Sequence, residues 1–238
     1  MRVSDHLQEL RIRLIVVMVW FILSLLCALP LVKPIYRYIV RDAEVKLAIL
    51  GPADIVWVYF MIAGVIAVAA ALPVAGLQLW LYVKPALEAK ERRAALTYIP
   101  ALALLFIAGI AFGYVIVFPM VLSFLKEIAA EDFLAMYTAD KYFSFLLNLT
   151  VPLGILFEMP VVIMFLTRIG IVNPKRLAKT RKLSYFLLVV ASVLITPPDL
   201  ISDVLVIVPL ILLYEISVTL SGFVYRKKLR MEAEAEAA

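Results

Sequence analysis

The chain is poor in the residues that most chemistry needs. Of its 238 residues only 17% are charged, one is cysteine and one is histidine. A single cysteine, Cys27, leaves no internal disulfide to staple the fold. The single histidine, His6, has no cysteine or acidic cluster beside it, so no metal-ligand set is visible. His6 also lies outside the apolar runs, which leaves no Ser/His/Asp arrangement inside them. The phosphate-cradling pattern Gly-x-x-x-x-Gly-Lys is absent. No cofactor and no enzymatic activity are expected from such a chain.

What is present is apolar mass. The chain is 65% apolar, where soluble domains run at roughly 45–50% with about 25% charged. A mean hydropathy of +1.04 excludes an ordinary soluble globule and points to an integral membrane protein. Thirteen prolines and eight glycines are too few, and too scattered, for a collagen-like or low-complexity chain. The net charge of +5 sits in clusters between apolar runs, a distribution that suits a lipid surface and not a nucleic-acid face.

A spanning helix needs about 20 mostly apolar residues, because in lipid the backbone must satisfy itself. The runs are too long for the roughly ten-residue alternating strands of a membrane barrel. They predict an all-α polytopic bundle, one transmembrane domain over 1–238 with six spans near 14–32, 55–83, 94–125, 142–167, 183–198 and 204–225. The first run follows arginines and ends near Cys27. Leu26 is not the small residue that a lipoprotein-type cleavage site wants, so the run is expected to be retained. The fifth is short. Its 16 residues reach only about 24 Å against a hydrocarbon core of about 30 Å. Pro197 and Pro198 stop it and force a tight turn. The alternating Glu and Ala of 232–238 read as a solvated, frayed end.

Charge fixes the orientation. Seventeen basic residues fall in the N-terminal segment, the second and fourth loops and the C-terminal tail, among them Arg11, Arg13, Lys84, Arg168 and Lys228. The opposite side carries six: Lys33, Arg37, Arg41, Lys46, Lys126 and Lys141. The positive-inside rule puts the seventeen, and both termini, in the cytoplasm. Nothing resembles an organelle transit peptide, so a prokaryotic inner membrane is expected.

Three polar features stand out against this background. Glu158 lies ten residues before Arg168, about 15 Å deep in the fourth span. It is either a carboxyl satisfied within the chain's own bundle or a polar docking point for something in the membrane. Pro152, Gly154 and Pro160 beside it suggest a bent helix. Glu9 and Glu91 lie in basic cytoplasmic segments. Local ion pairs with Arg11, Arg92 or Arg93 would use them up. Alternatively, they could accept a guanidinium from outside, in bidentate fashion. Gly109-x-x-x-Gly113 is a helix-packing motif of low specificity.

The motifs, taken together and in order, resemble the TatC family, the multi-spanning receptor subunit of the twin-arginine protein translocase. His6-Leu7-x-Glu9-Leu10-Arg11-x-Arg13-Leu14 is similar to its opening signature. Tyr82-x-x-Pro85-Ala86-Leu87-x-x-x-Glu91-Arg92-Arg93 resembles its first cytoplasmic loop. Phe157-Glu158-Met159-Pro160 is similar to its fourth-span motif. Thr196-Pro197-Pro198-Asp199, followed by Pro209 and Tyr214-Glu215-Ile216, resembles the region of its last two spans. Two departures are visible: Tyr82 stands where the family usually has Phe, and Lys84 places a cation inside the loop motif.

The resemblance implies a cupped six-span bundle that captures signal peptides bearing paired arginines on folded substrates. It implies an oligomeric complex with single-span partners of the TatA and TatB type, driven by the proton-motive force. Carried onto this chain, Glu91 would be the main acceptor for the signal-peptide arginines, with Glu9 assisting and Tyr82, Pro85, Leu87 and Arg11 around them. Glu158, Thr196, Asp199 and Glu215 would face the partner helices. The competing reading from composition is an ion- or metabolite-coupled secondary transporter. It lacks an internal repeat and a second intramembrane charge near Glu158. A membrane-embedded hydrolase lacks a catalytic pair.

Overall fold

The fold is that of a computed structural model, which describes residues 3–42, 47–84, 96, 98–132, 136–196 and 200–236. Among them the backbone is almost wholly helical. The chain runs through α1 (Val3–Asp42), α2 (Pro52–Val83) and α3 (Tyr98–Phe112). A π-helical turn, Gly113–Val117, leads into α4 (Phe118–Asp132). Then come α5 (Ala139–Phe157), α6 (Met159–Arg168), the short α7 (Pro174–Lys179), α8 (Arg181–Ile195) and α9 (Leu200–Glu236).

Five stretches are long and apolar enough to cross a bilayer: Gln8–Arg41, Pro52–Val83, Tyr98–Ala130, Ala139–Arg168 and Ser202–Arg230. Four expectations need correction. The first helix begins well before residue 14 and runs through Pro30 and Pro34. The helix of the third span continues past residue 125 to Asp132. The fifth is shorter than 183–198 in its effective length: α8 has 15 residues and ends at Ile195, about 22 Å of helix. The tail is helical past residue 232, with the backbone of α9 continuing to Glu236. Glu and Ala are both strong helix formers, so a solvated end of that composition extends a helix already nucleated by its apolar part.

The bend expected in the fourth span is a break at Glu158. Pro160 has no N–H, and its ring crowds the carbonyl four residues back. The Glu158 N–H turns instead to the Ile155 carbonyl at 3.1 Å, and α6 restarts with Val162 N donating to Glu158 O at 3.0 Å. Close packing holds this region. A Cβ added at Gly109 would lie 2.7 Å from the Gly154 Cα and 2.9 Å from the Leu153 carbonyl oxygen. α3 and α5 therefore cross with backbone against backbone, which only glycine permits.

The core gathers α1, α2, α4, α5 and α9 around Val32, Val58, Phe143, Leu149, Leu153, Val206 and Leu210. At one end the loops after α1 and α4 meet: Ala48 N donates to Tyr137 O at 2.9 Å and Ala139 N to Ala48 O at 2.8 Å. A smaller cluster closes the other end, where Trp80 packs against Val83, Ile99, Phe165 and Ile169. The ends of α2 and α6 and the start of α3 thus lie together, and the start of α1 joins them through Arg13 and Gln78. The end of α9 joins them through Lys228 Nζ, which donates to Arg168 O at 3.2 Å. Arg11, Arg13, Lys84, Arg168 and Lys228 all lie on these ends.

Candidate functional site

Glu9 sits near the start of α1 with its side chain half-buried, and the structure gives it a different partner from the one expected. It pairs with Arg13, not Arg11. On a helix a side chain meets those three or four residues away, whereas Arg11 at i+2 points to another flank and is exposed. Arg13 Nη2 donates to Glu9 Oε1, and Arg13 Nε donates to the same oxygen at 3.2 Å. Its third nitrogen, Nη1, faces the Gln78 carbonyl of α2 at 3.5 Å. One guanidinium therefore holds the carboxylate and braces it against the neighbouring helix.

Tyr82 lies half-buried in the last turn of α2, two residues beyond Trp80. Lys84 places its ammonium 5.2 Å from the Trp80 ring centre, a cation–π contact. The apolar stem of Lys84 is thereby drawn toward the bundle. Glu91, Pro85 and Leu87 lie outside the described residues, as does Asp199.

Glu158 is the contrasting site. It is 6% exposed, at the break between α5 and α6. The backbone of Phe106 on α3 faces the carboxyl, yet neither oxygen makes a hydrogen bond of ordinary geometry among the described residues. Buried polar groups are nearly always bonded. The carboxyl therefore retains donor or acceptor capacity that the bundle does not use.

The hairpin of α8 and α9 is tied by polar side chains along its length. Glu215 accepts from Arg181 Nη2 at 2.9 Å and from the Tyr185 hydroxyl at 2.5 Å. Tyr185 in turn meets Tyr214 edge to face, and the Tyr214 hydroxyl donates to Leu177 O at 2.9 Å. At the far end Thr196 is buried, its Oγ1 2.6 Å from Asp203 Oδ1 and 2.9 Å from Ser192 O. Ser192 Oγ donates to Asp203 O at 3.3 Å. Beside Thr196 a groove opens between α2, α5 and α8, lined by Met61, Val65, Phe145, Asn148 and Val151.

The structure brings Glu9 and Tyr82 to one end of the bundle, Glu158 to its middle, Glu215 to the α8–α9 seam and Thr196 to the other end. Sequence reasoning missed the anchoring role of Arg13, although the i,i+4 spacing from Glu9 signals it. It also missed Arg181 and Tyr185 as partners of Glu215, and Asp203 as the partner of Thr196. Those pairs are 34, 30 and 7 residues apart, and only the hairpin joins them. Among the described residues no cluster of His, Cys, Asp and Glu could hold a metal ion.

The model of the family TatC, Sec-independent protein translocase protein, matches residues 5–209. The chain is 57% identical to Sec-independent protein translocase protein TatCd of Bacillus subtilis, over 98% of this chain and 96% of that protein. It is 44% identical to TatCy of the same organism, over 98% and 93%. It is 36% identical to TatC of Aquifex aeolicus, over 98% and 99%. Two crystal structures of the twin-arginine translocase receptor TatC superpose on it at 34% identity. One has a TM-score of 0.76, covering 92% of this chain and 99% of that one; the other, in DDM, has 0.79, covering 91% and 99%.

Proposed function

Because this chain belongs to the TatC family of Sec-independent protein translocase proteins, we propose that it is the membrane receptor for signal peptides that carry adjacent arginines, and not an enzyme. The peptide is bound where the ends of α1 and α2 meet. Glu91 and Glu9 accept its guanidinium groups, with Tyr82, Pro85, Leu87 and Arg11 lining the approach. This end faces the cytoplasm of a prokaryotic cell, with both termini on that side, because it gathers the basic clusters. Single-span partners of the TatA and TatB type join it in an oligomeric complex that exports folded proteins at the expense of the proton-motive force. Glu158, Thr196, Asp199 and Glu215 receive the partner helices.

The observation that carries the reading is the Glu9 carboxylate. It stands at the basic end of the bundle, beside the helix whose continuation holds Glu91. Carboxylates amid cations bind an arginine pair by charge-assisted, directional hydrogen bonds, which lysine cannot reproduce in geometry. The test is co-purification of the full chain with a twin-arginine signal peptide and with its two-lysine counterpart. Retention of the first alone is expected. Equal retention of both would remove the receptor role. The partner role of Glu158 is read separately. Glu158→Ala should lower recovery of a TatA- or TatB-like subunit by about tenfold, the loss of one interhelical hydrogen bond worth about 1–2 kcal/mol. Unchanged recovery would return Glu158 to the chain's own bundle.

A further inference from the structure

The hydrogen bonds around Glu9 support one more step, which rests on the reading that Glu9 belongs to the signal-peptide site. We propose that Arg13 is a positioning residue of that site: it fixes the Glu9 carboxylate through one oxygen and leaves the other for an incoming guanidinium. Nε and Nη2 of Arg13 both reach Oε1, and neither bonds Oε2. A carboxylate has lone pairs for about four hydrogen bonds, so acceptor capacity for a ligand remains.

The third nitrogen sets the direction. Nη1 faces the Gln78 carbonyl at 3.5 Å, so the guanidinium lies between α1 and the last turns of α2. Its donors are coplanar and fixed relative to one another. Holding Gln78 and Glu9 at once therefore sets the Glu9 rotamer with respect to α2. The side chains of Arg13 and Glu9 are 19% and 28% exposed, which shields the pair partly from counter-ions. A glutamate on a free helix end would instead spread over several rotamers, and ordering it would fall to the ligand. Arg13 does not touch the peptide. It removes that ordering cost and ties the acceptor to α2, the helix that precedes Glu91 in the chain.

The experiment is a binding cycle on the full chain in detergent. A labelled twin-arginine signal peptide is titrated against wild type, Arg13→Gln, Glu9→Gln and the double variant, with gel filtration as the folding check. Arg13→Gln should weaken binding at least about threefold in the wild-type background and leave it unchanged in the Glu9→Gln background, because coupled residues are non-additive. Where Arg13→Gln is not monodisperse, Arg13→Lys takes its place in both backgrounds. Lysine keeps the charge but cannot span Glu9 and Gln78 together, and an intermediate loss is expected. Equal weakening in both backgrounds, or none in the wild type, overturns the positioning role. Glu9→Gln alone reads the underlying assignment. If it binds like wild type, Glu9 is not in the site. If it weakens binding while Arg13→Gln does not, only the role of Arg13 falls.

Discussion

The basic end of the bundle and its middle treat carboxylates in opposite ways. At the end, Glu9 is 28% exposed and held by an arginine one turn along its own helix. In the middle, Glu158 is almost wholly buried at a helix break, and neither oxygen makes a hydrogen bond of ordinary geometry among the described residues. The first arrangement costs little to keep, since a part-exposed ion pair within one helix contributes little to stability. The second carries a standing desolvation cost, which a bundle tolerates only where something else is gained. The two differ in that Glu9 keeps an arginine of its own chain with acceptor capacity to spare, whereas Glu158 has no such partner among the described residues.

The strongest way to break this contrast is to place an unpaired cation in the middle. Glu158→Lys puts an ammonium where the break offers one backbone turn and no carboxylate among the described residues. Removing or reversing one member of a buried polar site costs several kcal/mol, about 3–5 when a charge is stranded. Most of the protein should be lost from the monodisperse peak on gel filtration, while Glu158→Gln, which keeps shape and hydrogen-bonding capacity, should remain there. A well-behaved lysine variant would mean that the site is hydrated.

Next in size is the seam that frames Glu158. Gly109→Ala sets a methyl group 2.7 Å from the Gly154 Cα and 2.9 Å from the Leu153 carbonyl. Backbone stands in the way, so α3 and α5 must separate. Overpacking of this kind costs about 1–3 kcal/mol. It should lower the unfolding midpoint in detergent. Gly64→Ala, where an added Cβ meets nothing within 4 Å, should not.

How far each region was legible follows from the range of the interactions. The break at Glu158 was foreshadowed by Pro152, Gly154 and Pro160, because proline acts within one turn. Five long apolar helices were legible from hydropathy, whereas α8 is too short to stand with them. The π-helical turn at Gly113–Val117 was not legible, although Gly113 was noted. It arises where a Cβ at Gly113 would press to 3.0 Å on the Thr150 Cα across the seam, a tertiary cause. The pairings of Glu215 with Arg181 and Tyr185 needed the α8–α9 hairpin to exist first. For Glu9, proximity in sequence offers Arg11 among the candidate partners. Helical periodicity, already in hand, favours Arg13.

A smaller effect is expected where a buried polar pair joins α6 to α9. Thr167 Oγ1 lies 2.7 Å from Ser221 Oγ, and both residues are fully buried. Thr167→Val keeps the volume but strands the Ser221 hydroxyl. The cost is about 1 kcal/mol net for the hydrogen bond, rising toward the desolvation penalty if no substitute is found. Ser221→Ala in the Thr167→Val background removes the stranded group and should recover part of the loss. Failure to recover would show that packing, not the hydrogen bond, holds that contact.

The smallest change in stability should come at the basic end, and there the contrast is sharpest. Glu9→Gln breaks a partly exposed i,i+4 pair, worth about 0.3–0.5 kcal/mol. Arg13 keeps its approach to the Gln78 carbonyl and can still donate to the amide oxygen, so the helix loses less than the full pair. The unfolding midpoint in detergent should therefore barely move. Peptide binding should move far more, because an amide cannot supply the charge-assisted acceptor that a guanidinium selects. Burying such a contact under a bound peptide makes its loss worth on the order of 2–5 kcal/mol. Melting and titration on one preparation separate the two quantities. A large drop in midpoint with unaltered binding would reverse the comparison and make Glu9 a structural carboxylate; an unmoved midpoint with lost binding places its free energy in the complex.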